Sequence, residues 1–140
     1  MLNLWPAANH TRPAVASICT KRRAKRRAAE LFGRGAEDLV ALQLKAEGYI
    51  ILAERLRTGV GEIDLVAATE NSLVFIEVKA RACFSDAAYA VSPRQQARLL
   101  EAASVALAQH ENWARPEIRF DVALVADGAV EILQDAIRYN

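Results

Sequence analysis

Chemistry in this chain could begin at Asp64, Glu77 and Lys79. They stand in two short β-type runs, Gly61-Glu62-Ile63-Asp64-Leu65-Val66 and Val74-Phe75-Ile76-Glu77-Val78-Lys79. An acid set among apolar strand residues is costly to bury alone. Side chains alternate along a strand, so Glu77 and Lys79 point to one face and Ile76 and Val78 to the other. The link between the runs contains Asn71 but no Gly or Pro. A two-residue loop at Glu70-Asn71 puts Asp64 opposite Glu77 and Glu62 opposite Lys79, and a register shift of two keeps them diagonal neighbours on one face. Opposed carboxylates repel, and a cation between them relieves the repulsion: Lys79 or a bound divalent metal. The alternative is an ion-pair cluster that only fastens the hairpin, an arrangement that contributes little at a surface.

These residues need elements to hold them. From about Ala28 to Glu47 the pattern is helical, ending at Gly48 as the residue past the C-cap. Phe32, Ala36, Leu39, Val40 and Gln43 recur at helical spacing. Glu37 borders that apolar face, either as an acid at the rim of a core helix or as one aimed at the sheet beneath. Tyr49 to Arg57 reads as a first strand, Thr58-Gly59-Val60-Gly61 as a turn, and about Ser72 to Arg81 as the third strand. Ala82 to Val91 is a loop, in which Cys83 reads as a small apolar residue rather than a nucleophile. Ser92-Pro93-Arg94-Gln95 is a helix start, with Ser92 as N-cap, Pro93 at the first position and Gln95 closing a capping box. The helix runs to about Gln109 with Leu99, Leu100, Ala103 and Leu107 as its core face, Gln96 in its first turn on that face, and Arg94 and Arg98 on the other. His110 beyond it has no second His nearby and reads as a capping or packing residue. Glu117 to Ala126 alternates as a fourth strand, Asp127-Gly128 signals a hairpin into Ala129 to Leu133, and Gln134 to Asn140 is a tail. Asp121 faces away from Phe120 and Val122, as a surface residue or a partner to the site.

The 140 residues suit one domain with one real core. Charge is uneven along it. Residues 1–27 carry seven basic side chains and no acid, leaving eleven basic against seventeen acidic for residues 28–140. The reading is a basic, poorly ordered leader at 1–27 followed by a single domain at 28–140. Six charges in the run Lys21-Arg22-Arg23-Ala24-Lys25-Arg26-Arg27 cover every side of a helix. Lys21, Arg22, Arg23, Lys25, Arg26 and Arg27 are either a solvated helix start or an arm for nucleic-acid phosphates. An acid-free, Arg-rich leader also describes a transit peptide, but Ser richness and an amphipathic stripe are missing. No apolar run approaches the ~20 residues of a membrane span, which predicts no membrane partner. Cys19 and Cys83 lack the spacing of a metal knuckle or a disulfide framework and suggest a reducing, cytoplasmic setting. Gly59-Val60-Gly61 lacks the Gly and Lys of a phosphate loop, so nucleotide binding of that kind is unsupported.

An acid on the first helix, an acid on the second strand and an acid-x-Lys on the third, in the order α-β-β-β-α-β, resemble the PD-(D/E)xK, restriction-endonuclease-like superfamily, which includes Holliday-junction resolvases. Glu37, Asp64, Glu77 and Lys79 fall at the corresponding places. More narrowly, residues from about 28 to 138 resemble the YraN-like family of bacterial proteins, described as uncharacterised or as candidate endonucleases. Gly61-Glu62-Ile63-Asp64-Leu65-Val66, Phe75-Ile76-Glu77-Val78-Lys79-Ala80-Arg81, Gln96 and Arg119-Phe120-Asp121 carry that resemblance. The chain departs from the family pattern at Gln95, where many relatives have Lys, and at Phe84-Ser85, where an aromatic-Gly pair is expected.

The resemblance implies an α/β, restriction-endonuclease-like fold with a mixed central sheet flanked by helices. It implies a divalent-metal-dependent endonuclease hydrolysing DNA, more readily than RNA, with branched or structured DNA as the substrate class. Hard oxygens from Asp64 and Glu77 suit Mg²⁺ or Mn²⁺, joined by the Val78 backbone carbonyl and waters. Lys79 would orient the attacking water or offset phosphate charge, Glu37 would help bind a second metal or position water, and Gln96 would hydrogen-bond the phosphate or a ligand carboxylate. Resolvase-like action would need two active sites and hence a homodimer. Two other classes fit the same residues: a non-catalytic nucleic-acid binder on a nuclease-like fold, and an adaptor whose leader docks on an acidic protein.

Overall fold

A computed structural model of the protein describes residues 35–81 and 91–138. A helix whose described part covers 35–46 (α1) leads into strands Ile50–Thr58 (β1), Gly61–Ala68 (β2) and Ser72–Ala80 (β3). The helix Pro93–Gln109 (α2), a 3₁₀ turn at Glu111–Trp113 and strands Glu117–Ala126 (β4) and Ala129–Leu133 (β5) complete the order. The strands form one five-stranded sheet in the order β1-β2-β3-β4-β5. Only the β3–β4 pair is parallel, as its crossover through α2 requires. The described residues therefore form an α/β fold with a mixed sheet flanked by helices, as expected.

Each face of the sheet covers its own helix. Val40, Ala41 and Leu44 of α1 pack on Leu65, Ala67, Val74, Ile76 and Ala123. Leu99, Ala102, Ala103 and Ala106 of α2 pack on Val66, Leu73, Phe75, Phe120 and Val122. A sheet buried on both faces needs near-continuous apolar strands, and β2, β3 and β4 supply them. Local chemistry fixes the connections. Thr69 closes the β2–β3 turn by accepting from the amides of Asn71 and Ser72, and the pairs Leu65↔Ile76 to Ala68↔Leu73 have the register that a Glu70-Asn71 loop dictates. Ser92 and Gln95 form the capping box of α2. Asp127 and Gly128 both take positive φ, 52° and 75°, the conformation that fits a two-residue hairpin to twisted strands. His110 caps the far end of α2 and stacks on Trp113.

Three expectations change. Leu39 is 38 % exposed, because the buried stripe of α1 runs through Ala36, Val40, Ala41 and Leu44, one turn-angle away from it. Residues 134–138 are not a loose tail: the Ala136 and Ile137 amides donate to the Phe120 carbonyl, and Ile137 is buried. Asp121 is neither on the surface nor at the acid cluster. It is 1 % exposed and takes two hydrogen bonds from Arg119, at 2.9 and 3.1 Å, and one from the Asp135 amide. Arg119 also donates to the Tyr49 hydroxyl, so this network ties β4 to the start of β1 and to the C-terminal segment. Burial works against the Arg119 charge, but hydrogen bonds to Asp121 and Tyr49 outweigh it and hold the guanidinium protonated. The leader at 1–27, with its basic run Lys21 to Arg27, lies outside the described residues, as does Cys83. No helix among the described residues is long and apolar enough to cross a membrane.

Candidate functional site

The sheet opens where the acids stand. β3 stays paired to β4 through Ala80, but its pairing with β2 ends at Leu65↔Ile76. The next positions, Asp64 and Glu77, would face each other in that register. Instead of continuing the ladder, the Asp64 carboxylate accepts the Val78 amide at 2.8 Å. A side chain thus takes the hydrogen bond that a neighbouring strand would have supplied, and the two strands part around it.

The same point is a change of phase in β2. Leu65 and Ala67 pack toward α1, yet Ile63, which strict alternation would put with them, packs toward α2. β1 shifts with it: Ala53 and Leu56, three residues apart, both pack on the α2 side. Between the registered pairs Glu54↔Leu65 and Leu56↔Ile63 stand Arg55 and Asp64. Arg55 has φ 50°, a left-handed conformation that a non-glycine residue in a strand adopts only at a cost. Asp64 therefore occupies the seam between the two faces.

Two ion pairs flank it. On the α2 side Lys79 Nζ lies 3.3 Å from Glu77 Oε2, with both side chains largely buried. On the α1 side Arg55 Nε lies 2.9 Å from Glu37 Oε1, with Glu37 15 % exposed and Arg55 33 %. Glu37 is thus aimed at the sheet rather than set at a solvated helix edge. The Arg55 contact is close but its N–H does not point at the carboxylate, so the buried Oε1 accepts no hydrogen bond.

The electrostatics agree with the geometry. Burial pushes the Glu37 carboxyl up to about 7; Asp64 adds to the rise and Arg55 opposes it. Burial also raises Asp64, against the Val78 amide and Lys79, which favour its charge. Glu77 rises through burial and the nearby Asp64, with Lys79 pulling the other way. Asp64 is the hub: it is felt by Glu37 on one side and Glu77 on the other. Glu62 does not pair with Lys79 as the ideal ladder would have it. It reaches Arg57 at 3.6 Å on the exposed surface.

Of the sequence-predicted site residues, Glu37, Asp64, Glu77, Lys79 and Val78 meet around this opening. Gln96 stays on α2 and donates to the Val91 carbonyl at 3.1 Å. The Gln95 departure has a structural use, since its side chain accepts the Ser92 amide in the capping box. Sequence reasoning missed Arg55. It lies in the charged half of β1, and nothing in its residue type announces a positive φ.

Among the described residues, no three His, Cys, Asp or Glu side chains converge closely enough to hold a metal by themselves. The reason is visible: Glu37 is drawn to Arg55, Glu77 to Lys79 and Asp64 to the Val78 amide. Mg²⁺ needs less than such a cage, because it keeps several waters and is held by one or two carboxylates. Asp64 and Glu77 are a fitting pair for that, and the unbonded Glu37 Oε1 is a further hard oxygen facing the same seam.

Known proteins resemble this chain along most of its length. Residues 36–125 match the profile of "Uncharacterised protein family UPF0102". A UPF0102 protein of Acidiphilium cryptum is 48% identical over 118 residues, covering 84% of this chain and 92% of the relative. One from Bradyrhizobium diazoefficiens is 53% identical over 102 residues, 73% of this chain and 77% of its own. Another, from Granulibacter bethesdensis, is 46% identical over 109 residues, 77% and 69% of the two chains. The matched span contains Glu37, Arg55, Asp64, Glu77 and Lys79.

Proposed function

The chain belongs to the UPF0102 family, and from that premise we propose that it is a divalent-metal-dependent endonuclease of the restriction-endonuclease-like superfamily, hydrolysing DNA phosphodiester bonds. The observation that carries the proposal is the opening between β2 and β3. A strand ladder is broken to seat Asp64 beside Glu77 and Lys79, at the expense of burying two acids whose proton affinity burial raises, with Asp64 adding to the rise at Glu77. A fastening ion pair needs no such break, and functional sites are where perturbed carboxylates gather.

In this reading Asp64 and Glu77 would hold Mg²⁺ or Mn²⁺, with the Val78 carbonyl beside them. The ion supplies Lewis acidity toward a phosphate oxygen and a more acidic bound water. The chain's own side chains do the rest. The Val78 amide keeps the Asp64 carboxylate turned into the opening. Lys79, within 3.3 Å of Glu77, offers a fixed positive charge to the phosphate or a donor to the attacking water. Glu37 Oε1, which accepts no hydrogen bond from the protein, would accept one from that water. The run Lys21 to Arg27 would contact phosphates outside the break. Branched or structured DNA as the substrate, a cytoplasmic setting and a homodimer belong to the same proposal.

Labelled linear, flapped and four-way DNA incubated with the purified chain and Mg²⁺ or Mn²⁺ tests it. Cleavage is expected, and Asp64→Asn and Glu77→Gln should abolish it; cleavage unchanged in both variants sinks the assignment. The scattered acid pairing favours one other reading, a non-catalytic nucleic-acid binder. It predicts salt-sensitive binding that survives Asp64→Asn, with no cleavage under any condition.

A further inference from the structure

Arg55 has no part in the scheme above, yet its placement is the least ordinary feature of the site. A left-handed φ inside a strand carries a guanidinium to within 2.9 Å of Glu37 Oε1. The contact is one of charge without an aligned hydrogen bond, so a better ligand can replace it. Its charge also acts on Asp64. At 33 % exposure the side chain has solvent to swing into. Glu37, by contrast, is largely enclosed and has little freedom to leave.

We propose that Arg55 is a resident competitor for the divalent cation: it occupies the Glu37 carboxylate when no cation is bound and must withdraw when one arrives. Arg55 is in these terms a positioning residue. A guanidinium and a divalent ion cannot share one carboxylate edge without strong mutual repulsion, so the two states exclude each other. The pairing keeps Glu37 from standing as an uncompensated acid beside Asp64, and it makes cation affinity weaker than the oxygen set alone would give. The inference rests on the cation site proposed above and adds to it a built-in threshold for metal.

The test is Mn²⁺ calorimetry on the full chain, with Arg55→Gln, Arg55→Lys, Glu37→Gln and the Arg55→Gln/Glu37→Gln pair. Arg55→Gln should bind Mn²⁺ roughly fivefold more tightly, the scale of a partly exposed ion pair that no longer has to be broken. Arg55→Lys, which restores the charge on the same backbone, should return wild-type affinity. The gain should vanish when Glu37→Gln is added. Unchanged or weaker binding in Arg55→Gln overturns the competitor, as does a gain that persists without the Glu37 carboxylate. Absence of Mn²⁺ binding in every form overturns the cation site itself, and with it the competitor.

Discussion

Replacing Glu37 by Gln should make the protein more stable at neutral and alkaline pH. The carboxyl titrates at about 7 in the fold against an ordinary 4.5, chiefly because burial beside Asp64 disfavours its charge. An acid whose folded value is raised stays protonated in the fold where the unfolded chain has already released the proton. Its contribution is therefore fully present below pH ~4.5 and is lost as pH rises through ~7. At 1.36 kcal/mol per unit the loss is about 3 kcal/mol at pH 8. The attraction of Arg55 is already contained in that value, and Gln stands in for the neutral acid. The net expectation is a gain of roughly 3 kcal/mol at pH 8, shrinking below about 1 kcal/mol at pH 5. Urea titrations of both proteins with EDTA at pH 5, 6, 7 and 8 read this directly. A Glu37→Gln variant less stable at pH 8, or a difference flat across the range, would falsify the account, since it would make the Glu37–Arg55 contact a structural fastening.

The other outcomes concern the rest of the cluster and its scaffold. Lys79→Met leaves Asp64 and Glu77 without their nearest cation and should cost about 3 kcal/mol. Both acids already titrate high, so that loss should grow as pH rises above the ordinary carboxylate range; denaturant curves at pH 5 and 8 check the sign. Asp121→Ala strands the buried end of Arg119 and should cost roughly 3 to 5 kcal/mol while leaving Mn²⁺ affinity within error, which separates scaffold from site. Millimolar Mg²⁺ should raise the melting temperature of the wild type through binding to the native state alone, and should fail to do so in Asp64→Asn.

What the sequence made legible was the chemistry that acts over a few residues. The Glu70-Asn71 loop dictates the β2–β3 register, Ser92 and Gln95 cap α2, and Asp127-Gly128 turns the last hairpin; each is local and each is present. Acid-x-Lys on β3 needed only the two-residue period of a strand. What escaped were the places where tertiary contacts override a pattern. Strict alternation puts Ile63 with Leu65, but a carboxylate that captures the Val78 amide parts the strands and reverses the faces. Arg55 takes a conformation that its side-chain type disfavours, so propensity points away from it. Ile137 looked like part of a tail because its burial depends on the Phe120 carbonyl, far off in sequence. The burial of Asp121 rests on a network with Arg119, Tyr49 and Asp135, and the last two lie far off in sequence.

Both proposals rest on a divalent cation at the opening beside Asp64. Calorimetric titration of Mn²⁺ into the wild type and into Asp64→Asn, which keeps the shape of the side chain and removes its charge, tests it most directly. Saturable binding to the wild type with affinity reduced roughly 10- to 100-fold or more in the variant is the predicted result. Equal binding by the two, or none by the wild type, contradicts it.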